Sequence, residues 1–77
     1  MQRTVMMSSI AQKDIQTLNK KQKKSLTEAL DMMETLGQLG EPIHPKINGW
    51  IYRRDDVRIV YKLTPKEIVV LKIKKDG

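Results

Sequence analysis

The sequence predicts a small α+β domain in which a helical hairpin packs on one face of a small antiparallel sheet, in the order β-α-α-β-β-β. Three observations carry this expectation. Apolar residues recur at helical spacing as far as Leu36, and at strand spacing from Trp50 onward. Between them, Gly37-Gln-Leu-Gly40-Glu-Pro42 punctuates the chain. At 77 residues the chain has room for one domain, residues 1–77, and its 39% of apolar residues suffices for one modest core. With no Phe, one Trp and two Tyr, that core must be largely aliphatic.

Arg3 to Ser8 reads as a short first strand. Ser9 stands three residues before Gln12, the spacing of a capping box, so a helix is expected from about Ile10. Ala11, Ile15 and Leu18 give it one apolar face. Asn19, with Gln22 at the reciprocal position, is a second N-cap, and Ser25 with Glu28 is a rival start. Leu26, Ala29, Leu30, Met33 and Leu36 then hold one face of the second helix, and Gly37 suits the left-handed position that ends it. A loop is expected over 42–45. Trp50 to Arg54 alternates up to the turn pair Asp55-Asp56. Val57 to Leu63 sets Val57, Ile59, Tyr61 and Leu63 against Arg58, Val60 and Lys62. Thr64-Pro65-Lys66-Glu67 carries Pro where a turn favours it. In the last strand, from Ile68 to Lys74, Val69, Leu71 and Ile73 are expected on the core face, with Lys72 and Lys74 opposite. Such tight connections predict a three-stranded meander.

Composition narrows the function. The absence of cysteine excludes a disulfide scaffold and a thiolate zinc site. The one histidine, His44, leaves no histidine-rich metal site and no Ser-His or Cys-His pair, so neither metal nor cofactor is expected. His44 reads as a bystander, with proton shuttling as its alternative role. No apolar run approaches the roughly 20 residues that span a bilayer, and the N-terminus lacks a signal-peptide core, so a cytoplasmic protein without membrane contact is expected. The formal net charge is +6 and the pI about 9.8. A polyanionic partner is implied, nucleic acid first and an acidic protein second. Residues 1–40 carry six Lys/Arg against four Asp/Glu, and residues 41–77 nine against five, so the strand half is the more basic. Lys20, Lys21, Lys23 and Lys24 gather at the corner between the helices, as a phosphate-contact patch or a solvated helix start.

The stretch Gly49-Trp50-Ile51-Tyr52-Arg53-Arg54-Asp55-Asp56-Val57-Arg58-Ile59-Val60-Tyr61, followed by Glu67-Ile68-Val69-Val70-Leu71-Lys72-Ile73, resembles the RelE/ParE family of toxins from toxin–antitoxin pairs. Family members typically show Gly-(aromatic)-x-x-Arg, then Asp-(Tyr/Val)-Arg before two apolar residues and Tyr, then an apolar last strand. The helical half of the chain matches in pattern and length only. The family includes ribosome-dependent mRNA endonucleases and gyrase inhibitors. The resemblance implies that Arg58 lies on the concave face of the sheet and stabilises the phosphate during mRNA cleavage. A guanidinium fork suits that role because it binds phosphate bidentately and stays charged. Arg53 matches a basic position on the preceding strand and joins Arg58 as a catalytic candidate; Arg54 is expected to point the other way. Lys46, Lys72, Lys74 and Lys75 are the candidate RNA-binding residues. Trp50 and Tyr61 are expected to pack under the helices, with base stacking as the alternative.

Two departures from the family pattern bear on activity. Many nuclease members carry a Gly-(His/Lys)-Arg segment and then a Tyr after the last strand, where this chain reads Lys74-Lys75-Asp76-Gly77. A basic residue common two positions before Arg53 is Ile51 here. The resemblance implies a RelE-like toxin that cleaves mRNA on the ribosome without a metal and is restrained by an acidic antitoxin. The alternatives are a non-enzymatic member, which inhibits gyrase or only binds antitoxin, and a small basic RNA- or ribosome-binding protein.

Overall fold

The computed structural model describes residues 3–36, 39–44 and 47–75. Its elements are β1 (Thr4–Met7), α1 (Ser9–Gln16), α2 (Lys20–Leu36), β2 (Glu41–His44), β3 (Ile47–Arg54), β4 (Val57–Leu63) and β5 (Glu67–Lys75). The strands form one five-stranded sheet in the order β1-β5-β4-β3-β2. The expected fold class is borne out, with two differences. The sheet is mixed, because β1 pairs parallel with β5. A tight turn imposes antiparallel pairing on each neighbour in the meander, but β1 reaches the meander only through the two helices and escapes that constraint. The second difference is β2, which occupies much of the expected 42–45 loop and takes in His44. It is short, contains Pro42, and lies at the sheet edge, where a strand proline is tolerated.

Ser8 ends β1 and begins α1. Its N–H donates to the Val70 carbonyl at 2.9 Å, and its Oγ accepts the Ala11 N–H at 3.0 Å. The cap is therefore Ser8, one residue before the expected Ser9, since Ser8 is the residue that β5 holds in extended geometry (φ −67°, ψ 163°). α2 starts as expected. The Gln22 N–H donates to Asn19 Oδ1 at 2.8 Å and the Asn19 N–H to Gln22 Oε1 at 2.9 Å, a reciprocal capping box. Asn19→Ala is expected to cost about 1 kcal/mol, lowering the thermal midpoint by about 4–8 °C in a circular-dichroism melt. At the far end of α2, Leu36 is exposed rather than on the core face; Gly37 lies outside the described residues.

The core lies between the helices and one face of the sheet. Ala11 and Leu18 before the corner, and Leu26, Ala29 and Met33 of α2, pack with Val57, Ile59, Tyr61 and Leu63 of β4 and Ile68, Val70 and Ile73 of β5. β4 alternates as expected, but β5 does not. Val60 pairs with Lys72 while Tyr61 pairs with Val70, so Leu71 is an extra residue, a β-bulge. The bulge switches the buried parity from Ile68 and Val70 to Ile73, leaving Val69 and Leu71 only half-buried. Beyond the end of β1, α1 covers the exposed edge of β5. Ser8 Oγ donates to the Leu71 carbonyl at 2.7 Å, and Asp14 Oδ2 accepts the Ile73 N–H at 3.0 Å.

Candidate functional site

The open face of the sheet carries the basic residues. Arg53 of β3 stands directly opposite Arg58 of β4, and Arg58 stands opposite Lys74 of β5, so three cations form one row across three strands. Directly opposed residues place their Cβ atoms about 4.5–5.5 Å apart, and like charges so placed destabilise a sheet. One step along, Ile51, Val60 and Lys72 form the next row. The sheet thus brings together Arg53, Arg58, Lys72 and Lys74. It separates Lys75, which pairs with Val57 on the helix side and donates from Nζ to the Thr17 carbonyl at 3.1 Å. Lys75 is therefore not part of the groove, because adjacent strand residues point to opposite faces. Lys46 lies outside the described residues.

The β3–β4 turn fixes the arginine pair. Arg54 and Val57 close a two-residue connection, with Asp55 at φ 54° in the left-handed region that Asp tolerates. Both aspartates are tied to α2: Ser25 Oγ donates to Asp55 Oδ2 at 2.6 Å, and Gln22 Nε2 to Asp56 Oδ2 at 2.9 Å. Arg54 leaves the groove side as expected. It donates to Glu28 Oε2 at 3.3 Å and to Met32 Sδ at 3.4 Å. Its pKa is raised, first by a hydrogen bond with Tyr52, against some desolvation, and then by the Glu28 carboxylate. Trp50 packs half-buried against the core opposite fully buried Tyr61, so both serve packing.

Beside the arginine pair lies a cleft of about 640 Å³, bounded by Leu39 to Ile43 on one side and by Ile51, Tyr52, Arg53 and Arg58 on the other. It contains a residue that the sequence did not single out, Glu41, which lines the same cleft as both arginines. The Leu39 N–H donates to the Tyr61 hydroxyl at 3.1 Å, which holds the chain entering β2, and Glu41 then pairs with Ile51. Only the pairing of β2 with β3 brings Glu41 there, and no spacing in the sequence announces it. Gly40 permits the approach, since a Cβ at this position would collide with the Ile51 carbonyl and lie 2.8 Å from the Tyr52 nitrogen. Gly40→Ala is expected to force β2 away from β3, costing about 1–3 kcal/mol in a denaturant melt.

Chemically, the cleft offers two permanent cations and a carboxylate. Guanidinium groups stabilise charge that develops on a phosphoryl group, and a carboxylate can accept a proton. Among the described residues, no group of three or more His, Asp or Glu side chains is arranged to hold a metal ion, and no helix is long and apolar enough to cross a membrane.

The sequence matches no protein-family model and no curated protein. Solved structures do match. The chain is similar to the intact RelBE toxin–antitoxin complex of E. coli, with a TM-score of 0.84 at 12% identity over 97% of this chain and 98% of that one. For the RelBE2 toxin–antitoxin complex of Mycobacterium tuberculosis the TM-score is 0.82 at 19% identity, over 96% and 91%. For the archaeal RelE–RelB complex of Pyrococcus horikoshii it is 0.78 at 23% identity, over 100% and 98%. The chain therefore has the fold of these RelE-type toxin structures.

Proposed function

We propose that this chain is the toxin of a toxin–antitoxin pair and acts in the cytoplasm as a metal-independent endonuclease on ribosome-bound mRNA. The observation that supports this reading is the row Arg53–Arg58–Lys74 beside a cleft that Glu41 also lines. An RNA phosphate placed over this row meets all three cations. RNA cleavage without a metal requires removal of the 2′-hydroxyl proton as its oxygen attacks phosphorus, and stabilisation of the charge that grows there. It also requires a proton, supplied here by solvent, for the 5′-oxygen that leaves as its bond to phosphorus breaks. Glu41 is the base in this scheme, Arg58 the principal charge-stabilising donor, and Arg53 its neighbour on the same phosphate. Lys72 and Lys74 hold flanking phosphates. An acidic antitoxin segment restrains the toxin by covering this basic face.

The test is Glu41→Gln, which keeps size and hydrogen bonding but cannot take a proton. Cleavage of mRNA on programmed ribosomes is expected to fall by about 10²–10⁴-fold, with ribosome affinity unchanged. A rate within about twofold of the wild type contradicts the role of Glu41 as a base.

A further inference from the structure

Away from the groove, the corner between the helices carries a second concentration of charge. Lys20, Lys21, Lys23 and Lys24 fill the first turns of α2 and are all exposed. Lys75 adds a fifth ammonium by reaching from β5 to the Thr17 carbonyl at the end of α1. Among the described residues, none of the four α2 lysines is in a salt bridge. The carboxylates near this corner are engaged on its inner side: Asp14 with the Ile73 N–H, Asp55 with Ser25 and Asp56 with Gln22.

Folding does not account for this arrangement. The first turn of α2 holds no acidic residue and the last turn no basic one. Cations at the positive end of a helix dipole and anions toward its negative end are the unfavourable distribution. The capping box is made by Asn19 and Gln22 and needs none of the lysines.

We infer that this corner is a second RNA-binding surface, which grips the phosphate backbone of a double-helical RNA without reading its sequence. The inference extends the reading of the groove as an RNA site to a separate face of the same chain. Lysine ammoniums are flexible point charges suited to backbone phosphates. Protein interfaces are depleted in lysine and need an apolar or aromatic centre, whereas residues 20–25 expose no apolar side chain. Base reading in single strands relies on stacking platforms, and this segment has no aromatic residue. A duplex backbone, recognised by charge and shape, fits what remains.

The experiment titrates an RNA duplex of about 16 base pairs over a range of salt concentrations. It compares the full chain with K20Q/K21Q/K23Q/K24Q, the partial variant K20Q/K24Q and the groove variant R53Q/R58Q. The wild type is expected to bind with steep salt dependence. The fourfold variant should lose at least about tenfold in affinity at low salt, with a log–log slope shallower by about 2–3. The partial variant should fall between them. The fourfold variant should melt no lower than the wild type, because it removes cations from the positive helix end. The groove variant should lose clearly less duplex affinity than the fourfold variant, since most of the phosphate contacts that set duplex affinity lie at the corner. Three results overturn the inference: no duplex binding by the wild type, equal binding by the fourfold variant, or loss confined to R53Q/R58Q. Displacement of the duplex by an equal charge of polyglutamate, at lower concentration than by a second RNA duplex, also overturns it and assigns the corner to an acidic protein. The reading of the groove stands or falls separately, on mRNA cleavage by R53Q/R58Q.

Discussion

Arg58→Ala is expected to abolish growth arrest and to lower ribosome-dependent mRNA cleavage by about a hundredfold or more, the usual loss when a charge-stabilising donor is removed. The protein should still fold. Arg58 is exposed on the open face while its neighbours Val57 and Ile59 are fully buried, and surface substitutions usually change stability by under about 0.5 kcal/mol. Binding to an antitoxin should persist, since Arg53 and Lys74 of the same row remain. Growth arrest and cleavage rate, measured beside a thermal melt, check this. Undiminished toxicity in a folded Arg58→Ala variant contradicts the assigned role.

One residue further on, Ile59→Ala is expected to have the opposite profile. Ile59 has no exposed surface and sits on the central strand, paired with Tyr52 on one side and Ile73 on the other. Truncating a buried isoleucine costs about 2–5 kcal/mol, from lost transfer energy and the cavity left behind. A domain of this size has a total stability of roughly 4–12 kcal/mol, so the variant should melt at least about 10 °C lower or be largely unfolded at growth temperature. Circular-dichroism melts decide it, and a saturating antitoxin should restore part of the lost midpoint by binding only the folded state. A midpoint within about 3 °C of the wild type would contradict the placement of the core, since a 1 kcal/mol loss alone shifts it by about 4–8 °C.

Local signals made much of this fold legible. The Asn19–Gln22 box, the α2 face from Leu26 to Met33, the Asp55–Asp56 turn and the alternation of β4 are each signalled by the spacing of residues close in the chain. What escaped depended on partners distant in the chain. β2 is four residues with a proline and no alternation, and exists as a strand because β3 pairs with it. The bulge at Leu71 is set by the register with β4, and strict alternation along β5 therefore misplaced Val69 and Leu71. Ser8 and Ser9 are equivalent as caps until β5 fixes one of them. Lys75 is a different case, since strand alternation already opposed it to Lys74. For the site, the resemblance pointed to Arg53 and Arg58, and pairing sets them in one row. Glu41 needed the closed sheet to be seen.

The most direct test of the central claim is single-turnover incubation of the wild-type protein with ribosomes carrying a defined mRNA, mapping the RNA ends. The account predicts cleavage of the mRNA on the ribosome, dependent on Arg58 and Glu41. Intact mRNA at saturating protein, on ribosomes that the protein demonstrably binds, would contradict it.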